Sequence, residues 1–128
     1  MLDSAVVDSS AVLALLQNEA GSATVSQLID GALLSTVNLT EVHSKLIQKG
    51  FPASLSWKRI VSLQCDVCFF TDEQARIAAE LIQATKPLGL SLGDRACLAL
   101  AIERKATVYT TDAAWKNLNL GIEVEVIR

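Results

Sequence analysis

Apolar positions along this chain alternate between two periods. Short runs of consecutive apolar residues predict buried strands, and longer stretches with apolar residues every third or fourth position predict helices. Ala5-Val6-Val7 is the first run and ends at Asp8, where Ser9-Ser10 opens an Ala/Leu-rich helix through about Gln17. Ser22 is placed to cap a second helix to about Asp30, and Leu33-Leu34-Ser35-Thr36 follows as a second strand. Leu39, Val42, Leu46 and Ile47 then recur at helical spacing until Gly50, a stop signal. A further helix is expected from Pro52 to about Leu63, a strand over Val67-Cys68-Phe69-Phe70, and a helix from Asp72 to Ala84 that Lys86-Pro87-Leu88-Gly89 ends. Ser91-Leu92-Gly93-Asp94 opens the helix carrying Ala96 to Ile102, Thr107 to Thr110 is a strand ending at Thr111-Asp112, and Ile122 to Ile127 is the last strand.

Strands that alternate with helices imply a mostly parallel sheet covered on both faces, because parallel neighbours need crossover connections. The expected class is α/β. In such sheets ligands bind beyond the carboxyl ends of the strands, so acids directly after strands draw attention first. With 128 residues, 51% of them hydrophobic, and no repeat or linker-like tract, residues 1–128 are expected to form one domain. The most apolar segment, Ala96 to Ile102, is far shorter than the roughly 20 residues of a membrane span, and the start, Met1-Leu2-Asp3-Ser4, has no basic region before an apolar run. Three cysteines, Cys65, Cys68 and Cys97, are an odd set that suits a reducing compartment. A cytoplasmic protein without membrane association is expected. A net charge of −3 argues mildly against nucleic-acid binding by gross electrostatics.

Asp8 and Asp112 each follow a predicted strand, and Glu41 and Asp94 sit in early turns of helices, so four acids are positioned to share one rim. Carboxylates crowded together must take up protons or enclose a divalent cation, for which oxygen donors select Mg2+ or Mn2+. Helix capping accounts equally well for each acid alone. Ser91-x-x-Asp94 and Asn38-x-x-Glu41 both read as capping boxes, Asp8 suits an N-cap, and Glu41 with Lys45 suits an i,i+4 ion pair. Asp72 also follows a strand and begins a helix, so spacing alone ranks it level with Asp94.

Four segments, taken in order, resemble the PIN-domain family, and within it the toxins of VapBC-type toxin–antitoxin systems. They are Val6-Val7-Asp8-Ser9-Ser10-Ala11, Thr40-Glu41-Val42, Leu90-Ser91-Leu92-Gly93-Asp94-Arg95-Ala96 and Thr110-Thr111-Asp112-Ala113-Ala114-Trp115. The resemblance covers nearly the whole chain and leaves Asp72 outside the acidic set. It implies an α/β/α sandwich and endonucleolytic cleavage of RNA dependent on Mg2+ or Mn2+. Asp8 and Asp94 would then be direct metal ligands, with Glu41 and Asp112 completing the pocket, partly through water. Water would attack the scissile phosphate and leave a 5′-phosphate and a 3′-hydroxyl, with no side-chain nucleophile. A cognate antitoxin and a homodimer are further implications of the resemblance.

Ser9 and Thr111 carry hydroxyls beside two of the acids, where they suit capping first and orienting a carboxylate second. Cys65-Asp66-Val67-Cys68 has CxxC spacing, but residues three apart in a strand point to opposite faces, so all three cysteines are read as packing residues. His43, the only histidine, lies two residues from Glu41 and so on a different side of its helix. Trp57 suits core packing or contact with a base or partner, and Trp115 suits pinning of the loop after Asp112. Lys45, Lys49, Lys58, Arg59 and Arg95 are the cations available to RNA phosphates. Two other functions fit less well. An aspartyl-nucleophile phosphoryl-transfer enzyme also wants an Asp after strand one, but Ser10 stands where a dehalogenase-like enzyme has its second Asp, and Thr110-Thr111 is not followed by Lys. A PIN-like module that binds RNA or protein without cutting would not need all four acids.

Overall fold

A computed structural model describes residues 4–128. Five strands, β1 (Ala5–Val7), β2 (Leu33–Ser35), β3 (Asp66–Cys68), β4 (Thr107–Thr110) and β5 (Val124–Val126), form one sheet in the order β3-β2-β1-β4-β5, and every pairing is parallel. Seven α-helices connect them: α1 (Ser9–Leu16), α2 (Ser22–Leu28), α3 (Thr36–Gln48), α4 (Ala53–Ser62), α5 (Asp72–Glu80), α6 (Ile82–Thr85) and α7 (Leu92–Arg104). The α/β class and mostly parallel sheet expected from the sequence are observed.

Side chains of successive strand residues leave opposite faces of the sheet, and the core divides accordingly. Val6, Leu33 and Val108 pack with Leu81, Leu98 and Leu100 in one layer, while Val7 and Leu34 pack with Val12, Val25, Val42 and Leu46 in the other. Both faces are thus covered by helices, as an all-parallel sheet requires. The strand order reverses direction between β1 and β4, and the crevice at such a switch point opens above their carboxyl ends. Asp8 directly follows β1, and Asp112 stands two residues beyond β4.

Several local expectations are revised. Gly21, not Ser22, precedes α2, with no side-chain cap; its φ of 93° and a site where a Cβ would lie 2.6 Å from the Ile127 carbonyl oxygen both exclude a larger residue. The helix beginning at Asp72 breaks at Leu81 into α5 and α6. Ser35 caps α3, so Asn38 lies inside that helix and does not begin it. Among the described residues the ion pairs join Arg76 to Glu73 and Glu80, and Arg128 to Glu19; none joins Lys45 to Glu41.

Candidate active site

Asp8 is the N-cap of α1, yet its carboxylate serves more than the cap. Oδ1 accepts from the Ala11 amide at 2.8 Å and from the Ser10 hydroxyl at 2.7 Å, and Oδ2 accepts from the Thr110 hydroxyl at 2.6 Å. Ser10 Oγ accepts in turn from the Thr111 amide at 3.0 Å, and Thr110 Oγ1 from the Asp112 amide at 3.1 Å. Two hydroxyls therefore tie the end of β1 to the end of β4. These are Ser10 and Thr110, not the Ser9 and Thr111 picked out from the sequence. Alternation explains the shift on β4: Thr110 shares the inward register of Val108 and is fully buried, which makes it the polar residue at an apolar position.

Asp8 itself is 3% exposed. Burial raises its carboxyl to about 6; the bonds from Thr110, Ser10 and Ala11 oppose that rise, and the charge of Asp94 adds to it. Asp94 sits in the first turn of α7, where a capping box forms as expected: Ser91 Oγ accepts from the Asp94 amide at 3.2 Å, and Asp94 Oδ2 accepts from the Ser91 amide at 2.9 Å. Burial raises this carboxyl too, against the pull of Ser91, and the charges of Glu41 and Asp112 raise it further.

Glu41 reaches the group from α3. Asn38 Nδ2 donates to its Oε1 at 2.9 Å, so the Asn38–Glu41 pair is a side-chain bond within the helix and not a capping box. The carboxylate rests directly on Gly93, where a Cβ would lie 2.6 Å from Oε1 and closer still to Oε2. Glycine in a helix is ordinarily unfavourable, and here it leaves room for a charged neighbour. Asp112 accepts from the Ala114 amide at 3.0 Å and caps the short 3-10 turn over Ala113–Asn117. Beneath the group lies Cys97, fully buried; burial, then the charges of Asp8, Asp94 and Glu41, push its thiol well up.

The four sequence-predicted acids thus come from four separate chain segments, and Asp94 links them: it adds to the rise of Asp8 and is itself raised by the charges of Glu41 and Asp112. Among the described residues, no three acidic, imidazole or thiol groups stand close enough to hold an ion as their side chains now lie. The donors nonetheless fit a hard divalent cation. Every candidate donor is a carboxylate, and Glu41 Oε2, Asp94 Oδ1 and Asp112 Oδ2 accept no hydrogen bond among the described residues.

The remaining candidates are placed elsewhere. His43 Nδ1 lies 3.0 Å from the Ser56 hydroxyl, and its ring meets Trp57 edge-on at 5.2 Å, so it joins α3 to α4. Trp57 is 44% exposed, whereas Trp115 is buried in the core below the turn after Asp112. The three cysteines are free, and burial raises the Cys65 thiol to about 11 and the Cys68 thiol in the same direction, as befits packing residues. The five cations do not share a face. Lys49 bonds Gln17 at 2.8 Å and Arg59 the Leu16 carbonyl at 2.6 Å, both at the end of α1, while Arg95 bonds the Ala78 carbonyl of α5 at 2.9 Å. Asn38 and Gly93 drew little weight in the sequence reading; the available signal was a glycine within the first turn of a predicted helix, two residues after its capping Ser91.

The family profile described as PIN domain matches residues 5–119. None of the curated proteins compared with the chain matches it in sequence. Solved structures share its fold at low identity. A toxin–antitoxin complex from Klebsiella pneumoniae superposes with a TM-score of 0.78 at 16% identity, covering 98% of this chain and 98% of that one. DNA-bound VapBC from Salmonella typhimurium gives a TM-score of 0.74 at 13% identity over 97% of this chain and 98% of that one. VapBC2 from Rickettsia felis, bound to a DNA fragment from its promoter, gives 0.72 at 16% identity over 94% and 96%.

Proposed function

Because the chain belongs to the PIN-domain family, we propose that its 128 residues act as one endoribonuclease domain that hydrolyses RNA phosphodiester bonds with Mg2+ or Mn2+ at Asp8, Glu41, Asp94 and Asp112. One observation carries this reading: acids from four separate segments are linked through Asp94 at the switch point of a parallel sheet, where burial and the charges of Glu41 and Asp112 raise Asp94, and the charge of Asp94 adds to the burial that raises Asp8. Capping accounts for Asp8, Asp94 and Asp112 singly, but not for Glu41, which is brought to the group from the body of α3 over a helical glycine.

Asp8 and Asp94 would hold the cation directly, and Glu41 and Asp112 would complete its surroundings. When bound, the cation neutralises charge on the phosphate and lowers the pKa of water near it. The protein's own contribution is positional. Ser10 and Thr110 fix both oxygens of Asp8, Ser91 fixes one oxygen of Asp94, and Asn38 fixes one of Glu41. Fixed acceptors cost little reorganisation when charge develops on the substrate. A covalent aspartyl route has no support here, since Ser10 stands where a dehalogenase-like enzyme has its second Asp and Thr110-Thr111 is not followed by Lys.

The acidic net charge is compatible with RNA as substrate, because the four site acids together exceed the excess of −3. The structural neighbours, which are toxin–antitoxin and VapBC complexes, support a toxin role with a cognate antitoxin as partner; a homodimer and a cytoplasmic location are proposed along with that role. No described helix is long and apolar enough to cross a membrane.

The test is cleavage of RNA by purified protein with and without chelator. Activity should need Mg2+ or Mn2+ and vanish in the Asp8→Asn Asp94→Asn double variant. Undiminished cleavage in chelator, or by that variant, would overturn the assignment. Absence of both cleavage and Mn2+ binding in the wild type would favour a non-catalytic binding module.

A further inference from the structure

Asn38 is 1% exposed, and its amide meets the acidic group on one side only. Nδ2 donates both to Glu41 Oε1 at 2.9 Å and to the Gly93 carbonyl at 3.1 Å, joining α3 to the first turn of α7. Oδ1 is buried with no partner among the described residues. The orientation of the amide is not arbitrary. Turning it over would set Oδ1 against two acceptors and leave both without a donor, so the two bonds fix which atom is oxygen. A buried acceptor without a donor is unfavourable, and an apolar side chain would avoid it.

We propose that Asn38 is a positioning residue of this site: its Nδ2, bonded at once to Glu41 Oε1 and to the Gly93 carbonyl, holds the Glu41 carboxylate against the first turn of α7, where it faces a bound divalent cation. This rests on the metal-dependent reading of the acids. Groups that orient ligands from behind typically change metal affinity by 10- to 100-fold when removed. A residue that merely tied α3 to α7 would influence stability and leave cation binding alone.

The experiment separates these effects by measuring Mn2+ affinity calorimetrically, alongside urea unfolding in chelator, for the wild type, Asn38→Leu and Asn38→Ala. Asn38→Leu keeps the number of side-chain heavy atoms and removes the unpartnered oxygen, but takes the donor from Glu41 Oε1 and the Gly93 carbonyl, so it should fold with reduced stability while binding Mn2+ roughly 10- to 100-fold more weakly. Asn38→Ala should lose affinity to a similar degree. Gly93→Ala, which displaces the Glu41 carboxylate from the other side, should repeat the loss without touching Asn38. The wild-type protein supplies a measurement that needs no variant: the Asn38 side-chain amide signals should shift as Mg2+ is titrated in. Mn2+ affinity within twofold of wild type in both Asn38 variants, or an Asn38 amide indifferent to saturating Mg2+, overturns this inference alone. Failure of the wild type to bind Mn2+ overturns the metal-dependent reading and this inference with it.

Discussion

At the scale of single residues, Asp8 holds its place against an electrostatic cost. Its folded carboxyl is raised from 3.8 to about 6, chiefly by burial. A raised folded pKa means that the native state binds the proton more tightly than the unfolded chain, so stability is greatest below about pH 4 and falls as pH rises through about 6. Two units correspond to roughly 3 kcal/mol at most, at about 1.4 kcal/mol per unit. Asp8→Asn removes the ionisation and keeps an oxygen for Ala11. In chelator it should therefore be more stable than wild type at pH 7, by about 1 to 3 kcal/mol, with the advantage shrinking towards pH 4. Denaturant unfolding across that range checks it, and an equal pH slope in both proteins would contradict it. Sequence spacing brought Asp8 to notice but misplaced its hydroxyl partners by one position. Nearness along the chain favoured Ser9 and Thr111, whereas the bonds are made by Ser10, which the first turn of α1 aims back at the cap, and by Thr110, which the strand aims inward.

At the scale of elements, the same side chains both end helices and furnish the site. The capping box of α7 was legible because Ser and Asp stand three apart before an apolar run, and it forms as expected. Ser91→Ala should cost about 1 kcal/mol of stability, measured by urea unfolding in chelator, where cation binding cannot mask the loss. No change in unfolding midpoint would show that the cap contributes nothing. The second expected box failed for a reason of register: α3 starts at Thr36, three residues earlier than an Asn38 cap requires. Polar Thr36 and Asn38 interrupt the apolar stripe of that turn, and only packing of Asn38 against α7 brings it into the interior. Long-range packing of this kind leaves no trace in local periodicity.

At the scale of the molecule, the alternation of strands and helices was sufficient to read the parallel sheet, because each crossover must return the chain to the same end of the sheet. Strand order was not readable, and with it the adjacency of β1 and β4 that joins Asp8 to Thr110. The gathered acids also predict a global response to cations. A ligand that binds only the folded form at 100 times its Kd adds about 2.7 kcal/mol of stability. Saturating Mn2+ should thus raise the melting temperature by several degrees in the wild type and leave the Asp8→Asn Asp94→Asn variant nearly unmoved. Equal shifts in the two would place the binding elsewhere.

The hydroxyl tie between β1 and β4 spans 102 residues, from Asp8 to Thr110. Asp8 leaves the ribosome 102 residues ahead of Thr110, its last donor. Between those moments the sheet has no central β1–β4 pair, and the first acid has neither its partner strand nor the carboxylates of α7 beside it. The acidic centre is therefore assembled only after β4 is made, and a chain ended before β4 carries Asp8 without a site. For a protein whose proposed activity destroys RNA, that order of construction delays the hazard until β4 and the segment after it have been made.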